Sequence, residues 1–303
     1  MEKDFWIKSH DDESIFVKKW YKEAQQPKAI IQIAHGMVEH IRRYGTFSHF
    51  LLNQNIFVYG NDHRGHGQTG EKQGLFGYLS DKEGFTKTAL DLYEVTKQIK
   101  QDYPNTPIIL FGHSMGSFLT RKYIQHQSDA VNGVILSGTG FHYGLRIKTA
   151  KALASILPPK EKSKLMNSLV FGTYNKRIAA KKTGFDWLSS DEKAIQEYIN
   201  DPHTGFIPTA RFFYDLMTGL EDIHNKKRNA FIRKDLPMLI ISGDADPVGD
   251  YSKGVWKTAH LFRQAGLSDI TTMLFENGRH ELLSEGNKEE VFSAIFKWIQ
   301  TQL

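Results

Sequence analysis

The sequence predicts an α/β fold in which a mostly parallel central sheet carries helices on both faces and a helical cap insertion. Two observations predict the sheet: short apolar runs alternate with segments of helical periodicity, and polar sequences follow four of the runs. A third predicts the cap, because the alternation stops at about residue 140 and resumes near residue 237. We therefore assign 1–140 and 234–303 to the core and 141–233 to the cap (a lid over one edge of the sheet).

The first part of the chain alternates between predicted strands and predicted helices. An alternating segment at 14–20 is typical of an edge strand. Buried apolar strands follow at 29–34, 56–59, 107–112 and 133–137. Helical periodicity marks about 44–54, 82–101 and 118–126. Strands and helices that alternate in this way indicate parallel pairing.

The segment 141–233 shows helical patterns and loops without a convincing strand. The alternation then resumes with strands at 237–243 and 271–275 and with helices at 253–264 and 288–303. A strand-free block inside an α/β pattern is best explained as an insertion at the rim of the sheet.

The composition is that of an ordinary globular protein and limits its chemistry. The 303 residues include no cysteine, which excludes disulfides and thiolate metal sites. No apolar run approaches the ~18 residues of a membrane span, and the first residues are too polar for a secretory signal. Together these features favour the cytoplasm.

The net charge of +5 is unevenly distributed along the chain. Basic residues concentrate between 146 and 182 and again at 226–228. The ordinary explanation is a solvated face; the alternative is attraction to acidic substrates or to anionic lipid, which would place the protein at the membrane periphery. Nucleic-acid binding is not expected, because no recognised module accompanies the charge. Nothing indicates an obligate protein partner.

A serine turn follows the strand at 107–112. The sequence Gly112-His113-Ser114-Met115-Gly116 has the G-x-S-x-G pattern, and it lies between a strand and a helix. A serine on so sharp a turn adopts a strained backbone that exposes its hydroxyl. Its neighbours two positions away must then be small, because strand and helix nearly collide there.

Polar sequences follow four predicted strands. They are His35-Gly36-Met37, Ser114, Asp244-Ala245-Asp246 and Arg279-His280. Because the carboxyl ends of parallel strands meet at one edge, we expect these segments to converge there. They supply a hydroxyl, a carboxylate and an imidazole in the chain order Ser…Asp…His.

These groups predict nucleophilic catalysis on an acyl carbonyl. Ser114 would attack and His280 would take its proton, while a carboxylate would orient the imidazole. Either Asp244 or Asp246 could supply that carboxylate. Pro247 biases Asp246 toward extended backbone at the strand exit.

Five motifs carry a resemblance that spans nearly the whole chain. They are HGMVEH at 35–40, NDHRGHG at 61–67, GHSMGS at 112–117, GDADPV at 243–248 and GRHELLSE at 278–285. With them the chain resembles the α/β-hydrolase superfamily, and within it the serine hydrolases related to monoacylglycerol lipases and lysophospholipases. The segment 185–202 is also similar to the cap of bacterial members. The resemblance implies an α/β-hydrolase fold and selects Asp246 as the catalytic acid, with Asp244 as the rival.

The developing oxyanion requires two backbone N–H donors. The resemblance and the geometry of the turns both indicate Met37 and Met115, and Met115 also opens a helix whose N-terminal dipole favours negative charge. The resemblance further implies that His63 and His66 brace the loops around Met37. We expect no metal at their H-x-x-H spacing, because no Cys or carboxylate set completes a ligand shell. No cofactor is implied.

Several further residues have predicted structural or substrate-binding roles. We expect His113 to pack against the site, and Glu39 and Glu281 to brace loops. The cap is rich in apolar residues, and most of them should form its own small core. Candidate substrate-binding residues are His35, Gly36, His113, Phe141, Tyr143, Phe212, Phe213 and Met217.

The resemblance and the residues together predict a serine carboxylic-ester hydrolase. Its substrate would be a small-molecule acyl ester, a monoacylglycerol or a lysophospholipid, cleaved through an acyl-enzyme. One alternative is a peptidase or amidase of the serine aminopeptidase type, which needs an acidic pocket for a free amine, whereas this cap is basic. Another is a non-catalytic ligand-binding member of the fold, since fold alone never establishes activity.

Overall fold

A computed structural model describes all residues, 1–303. Its eight strands are β1 (Glu2–Lys8), β2 (Ser14–Trp20), β3 (Ala29–Ala34), β4 (Ile56–Asn61), β5 (Ile108–His113), β6 (Gly133–Ser137), β7 (Met238–Gly243) and β8 (Ile270–Phe275). They form one sheet in the order β1-β2-β4-β3-β5-β6-β7-β8. The β1–β2 and β2–β4 pairs are antiparallel, and all the others are parallel. The predicted α/β-hydrolase fold is confirmed.

Eleven α-helices connect and cover the strands. They are α1 (Gly45–Asn53), α2 (Gly67–Gln73), α3 (Gly84–Asp102), α4 (Met115–Gln127), α5 (Leu145–Ile156), α6 (Lys164–Phe171), α7 (Glu192–Asn200), α8 (Ala210–Ile223), α9 (Lys226–Asn229), α10 (Lys253–Gln264) and α11 (Lys288–Gln300). Short 3-10 helices lie at Ile41–Tyr44, Ser128–Ala130, Tyr174–Arg177 and Leu282–Ser284. None of the helices is both long enough and apolar enough to cross a lipid bilayer.

The central strands are apolar because helices cover both faces of the sheet. Every residue of β3, β4, β5, β6 and β7 is buried. Strands buried on both faces need continuous apolar runs instead of alternation, which is why the sequence marks them clearly. Their carboxyl ends meet at one edge of the sheet, where the polar segments lie.

The edge of the sheet differs from the prediction. β1 is the edge strand, and the predicted edge strand 14–20 (β2) pairs on both sides, with β1 and β4. β1 escapes prediction because most of its residues are exposed and several are charged. α2 was also missed, since its sequence GQTGEKQ is polar and contains two glycines.

Between β6 and β7 the chain forms α5 to α9 and no strand, as the sequence indicates. Local signals begin four of these helices, because a side chain caps the N-terminus of each: Ser163 for α6, Asp191 for α7, Thr209 for α8 and Asn225 for α9. α8 packs on α3, α4 and α5, so this insertion joins the helical layer of the sheet. The boundaries of the cap, 141–233, stay a prediction.

Candidate active site

Ser114 occupies the strained turn between β5 and α4. Its φ of 51° and ψ of −119° lie outside the regions that most residues favour. A Cβ on Gly112 would lie 2.4 Å from the carbonyl oxygen of Gly116, and one on Gly116 would lie 2.0 Å from that of Ala34. The predicted requirement for small neighbours is confirmed. For Gly116 the nearest obstacle is the backbone of Ala34 and His35 at the end of β3, a remote segment, instead of the strand that flanks the turn.

Asp246 and His280 form a buried pair. Oδ2 of Asp246 accepts a hydrogen bond from Nδ1 of His280 at 3.0 Å, and neither side chain is more than 2% exposed. The other carboxylate oxygen accepts from the N–H of Val248 at 2.8 Å. The rival carboxylate, Asp244, is exposed and accepts from the N–H of Asn277 at 2.8 Å. The structure therefore pairs His280 with Asp246.

Two aromatic rings flank the imidazole of His280. The ring centroid of His113 lies 4.7 Å from it and that of Trp187 lies 5.0 Å from it. Burial alone would lower the pKa of His280, but the charge of Asp246 and their hydrogen bond, helped by Glu281 and Glu39, raise it above the ordinary value. Burial instead lowers the pKa of His113 to about 3, so that ring is neutral.

Nε2 of His280 and Oγ of Ser114 form no hydrogen bond to any protein atom. Gly36 lies close to the serine: a Cβ on Gly36 would lie 3.3 Å from Cβ of Ser114 and 3.2 Å from Cδ2 of His113. The hydrogen bond between a catalytic serine and its histidine is often long in a free enzyme and tightens when substrate binds. Both atoms are free to act on a ligand.

The predicted oxyanion donors, the N–H groups of Met37 and Met115, have no acceptor within the protein. The N–H of Gly36, between His35 and Met37, instead donates to the carboxylate of Glu39. An unpaired N–H at a helix N-terminus and another in an adjacent turn can both bind an anionic oxygen.

A buried ionic cluster fixes this turn. Arg43 donates to Glu39 at 2.6 Å and to both carboxylate oxygens of Glu281, at 2.8 and 2.7 Å. The hydroxyl of Tyr44 also donates to Glu39, at 2.9 Å. Burial raises the pKa of Glu39, whereas Arg43 outweighs burial and holds the pKa of Glu281 below its usual value. Glu39 and Glu281 brace loops in the predicted way.

Three buried, neutral histidines, His35, His63 and His66, pack beside the turn that carries Met37. The N–H of His63 donates to Nε2 of His35, and Nε2 of His63 donates to the carbonyl oxygen of His35, both at 3.0 Å. His66 packs against His35 with ring centroids 5.4 Å apart. Burial lowers the pKa values of His63 to about 3 and of His66 to about 4. His63 and His66 therefore brace the loops, and His35 uses both ring nitrogens within the protein.

The insertion contacts the site loops through polar groups whose roles the sequence analysis did not predict. Arg279 donates to the carbonyl oxygens of Asp186 and Ser189, at 2.6 and 2.8 Å. The carboxylate of Glu285 accepts from the N–H of Arg279 at 2.7 Å and from that of Ser190 at 2.9 Å. Arg279 and Glu285 lie inside a motif quoted above, but their partners are about 90 positions away and carry no local signal.

The predicted substrate-binding residues occupy different environments. Phe212, Phe213 and Met217 on α8 are buried in the apolar core. The ring of Phe212 packs against that of His66, with centroids 5.8 Å apart. Phe141 is half-buried against His224, and Tyr143 is exposed. Their contacts with a substrate stay predictions.

The sheet topology, with a serine between β5 and α4 and a carboxylate–imidazole pair after β7 and β8, defines an α/β-hydrolase. The family described as serine aminopeptidase, S33, matches residues 25–287, and the chain belongs to this family of hydrolases.

The chain is also similar to individual hydrolases in sequence and in structure. Monoglyceride lipase of Mus musculus is 28% identical over 285 residues, 91% of this chain and 82% of that protein. Phospholipase YtpA of Bacillus subtilis is 24% identical over 281 residues, 91% of this chain and 96% of that protein. The crystal structure of a thermostable carboxyl esterase from Bacillus coagulans superimposes with a TM-score of 0.91 at 28% identity, over 99% of this chain and 98% of that one. The resemblance indicated by the sequence motifs is confirmed.

Proposed function

We propose that the protein is a serine carboxylic-ester hydrolase that cleaves single-chain acyl lipids, a monoacylglycerol or a lysophospholipid, through an acyl-enzyme. The observation that carries the proposal is the buried Asp246–His280 pair at the edge of the sheet that also presents the strained Ser114. The names of the relatives, monoglyceride lipase and phospholipase, support a lipid ester as the substrate.

In the proposed reaction Ser114 attacks the ester carbonyl while Nε2 of His280 takes its proton. Asp246 holds the proton on Nδ1 and stabilises the imidazolium that forms. The N–H groups of Met37 and Met115 bind the oxyanion, and His280 then gives its proton to the leaving alcohol. Water repeats the sequence on the acyl-enzyme and releases the fatty acid. One such N–H donor contributes about 3–4 kcal/mol to transition-state stabilisation in enzymes where it has been removed.

Exposed apolar side chains in the insertion suggest how a lipid substrate reaches the protein surface. Leu145 and Ile156 on α5 and Leu165 and Leu169 on α6 are each more than half exposed. The same segment carries exposed basic residues: Arg146, Lys148, Lys160, Lys162 and Lys164. Exposed apolar and basic side chains on one segment suit the surface of an anionic membrane, where each basic residue contributes about 1 kcal/mol.

Esters of graded chain length test the catalytic proposal. We expect nitrophenyl esters of medium-chain or long-chain acids to be cleaved faster than the acetate, and Ser114→Ala to abolish both cleavage and labelling by a fluorophosphonate. Ser155→Ala, a change on the exposed face of α5, is the matched control and should retain full activity. Undiminished activity of Ser114→Ala would overturn the mechanism, and a preference for acetyl esters would overturn the lipid substrate.

The alternatives predict different results in the same assays. Release of an amino-acid nitroanilide at rates matching the esters would favour the peptidase. A folded protein that neither reacts with a fluorophosphonate nor cleaves any ester would favour the non-catalytic ligand-binding member. Membrane contact is tested separately by co-sedimentation with vesicles: Lys164→Glu should weaken binding to vesicles that contain phosphatidylserine, and equal binding to neutral vesicles would contradict the electrostatic part of the proposal.

A further inference from the structure

A second cluster of ionisable side chains lies outside the hydrolytic site. It joins His40, which follows the turn of Met37, to Asp201 and His203 in the loop between α7 and α8. One ligand atom from each residue lies within 4.8 Å of the others. Nε2 of His40 is 2.8 Å from Oδ2 of Asp201, and the imidazoles of His40 and His203 meet edge to face with centroids 5.6 Å apart.

A fourth group reaches the cluster from α2. Oε1 of Glu71 lies 2.9 Å from Nε2 of His203. No lysine or arginine forms a salt bridge with Asp201 or Glu71, so imidazoles are the only ionisable partners of both carboxylates.

This donor set matches a divalent transition metal. Three atoms no more than 4.8 Å apart all lie within about 2.8 Å of a common point, and zinc bonds to imidazole and carboxylate measure about 2.0–2.2 Å. Side-chain movements of under about 1 Å would therefore bring the atoms of His40, Asp201 and His203 to bonding distance. Two imidazoles and two carboxylates form an N₂O₂ set, and imidazole is a preferred ligand of zinc.

We propose that His40, Asp201, His203 and Glu71 form a structural site for a divalent cation of the zinc class. The site joins three distant segments: the residues after the Met37 turn, α2, and the loop of the insertion. In the same loop the N–H of Gly205 donates to the carbonyl oxygen of Val38 at 3.0 Å, next to Met37. A bound ion therefore fastens the insertion to the turn that carries a candidate oxyanion donor.

Metal titration of the full chain, prepared without a histidine tag and dialysed against a chelator, tests the proposal. We expect calorimetry to show one equivalent of Zn²⁺ bound and the melting temperature to rise by several degrees at saturation. Co²⁺ should show the visible absorption bands of tetrahedral coordination. His203→Ala should abolish saturable binding, and Glu71→Gln should weaken it at least tenfold.

The control is His49→Ala, which removes an exposed histidine that also pairs with a carboxylate, Glu2. It should leave binding unchanged. Glu71 is half exposed, so its substitution tests the site without disturbing the core. Absence of stoichiometric binding, or binding that His203→Ala and Glu71→Gln leave unchanged, would overturn the proposal and reduce the cluster to two hydrogen-bonded His–carboxylate pairs. These measurements do not depend on hydrolytic activity.

Discussion

The hydroxyl of Tyr198 on α7 donates a hydrogen bond to the carbonyl oxygen of Val38, 3.2 Å away. Val38 has a φ of 53°, a conformation that residues with a side chain rarely adopt, and it directly follows Met37. The ring of Tyr198 also stacks on the guanidinium of Arg43, which holds Glu39 and Glu281. One side chain of the insertion thus supports both sides of the turn.

Tyr198→Phe removes this hydrogen bond, and the one that the hydroxyl accepts from the N–H of Gly205 at 3.1 Å, but keeps the ring. We expect kcat for a medium-chain ester to fall about five- to tenfold, or ~1–1.4 kcal/mol, because the N–H of Met37 is held less firmly. The matched control is Tyr78→Phe, whose lost hydroxyl contacts Asp81 at the surface and should not matter. Equal kcat values for Tyr198→Phe and the unmodified protein would contradict the proposed support.

Substitution of the two rival carboxylates distinguishes their roles. Asp246→Asn should lower kcat by about 10⁴-fold, the loss seen when the equivalent acid of a serine protease is changed, because the imidazole loses its orienting charge. Asp244→Asn should stay within about twofold, since its carboxylate faces solvent and accepts only a backbone N–H. A larger loss for Asp244→Asn than for Asp246→Asn would reverse the assignment.

The pH dependence follows from the environment of His280. The base must be neutral to accept a proton, so kcat/KM should fall as the pH drops through the pKa of His280. Because that pKa is raised above 6.5, the acid limb should have its midpoint above pH 6.5. In Asp246→Asn the lowering effect of burial remains without the opposing charge, so the midpoint should move to lower pH. A midpoint below 6.5 in the unmodified protein would show that the balance of these effects is different.

Gly116→Ala should destabilise the fold. Its Cβ would lie 2.0 Å from the carbonyl oxygen of Ala34 and 2.5 Å from that of His35, which are backbone atoms that have no room to move. We expect the free energy of unfolding in urea to fall by about 3 kcal/mol or more. Gly45→Ala is the control: no atom lies within 4 Å of its Cβ, so it should be neutral or slightly stabilising. Similar stabilities for the two variants would show that the turn tolerates a methyl group.

The sheet and the serine turn could be predicted from sequence because their signals are local. Strands β3 to β7 are continuous apolar runs, and Gly112 and Gly116 lie two positions from Ser114. β1 and α2 lack such signals: β1 is charged and gains its position by pairing with β2, and α2 has no apolar periodicity. Local physical chemistry determined strands β3 to β7 and the serine turn. Pairing or packing with remote segments determined β1 and α2.

The choice between Asp244 and Asp246 shows the same division within the site. Both follow β7, and the sequence places either one near His280. Only the turn after β7 decides that Asp246 is buried against the imidazole while Asp244 faces solvent.

By itself, the sequence determined the fold class and the serine turn and predicted the order of the reacting groups, because strand burial and turn sterics act over a few neighbouring residues. Tertiary structure alone decided how the insertion contacts the site. The hydrogen bonds between Tyr198 and Val38 and between Asp201 and His40 each join residues about 160 positions apart. A hydrogen bond depends on distance and direction in space, and those are fixed only when the helices pack.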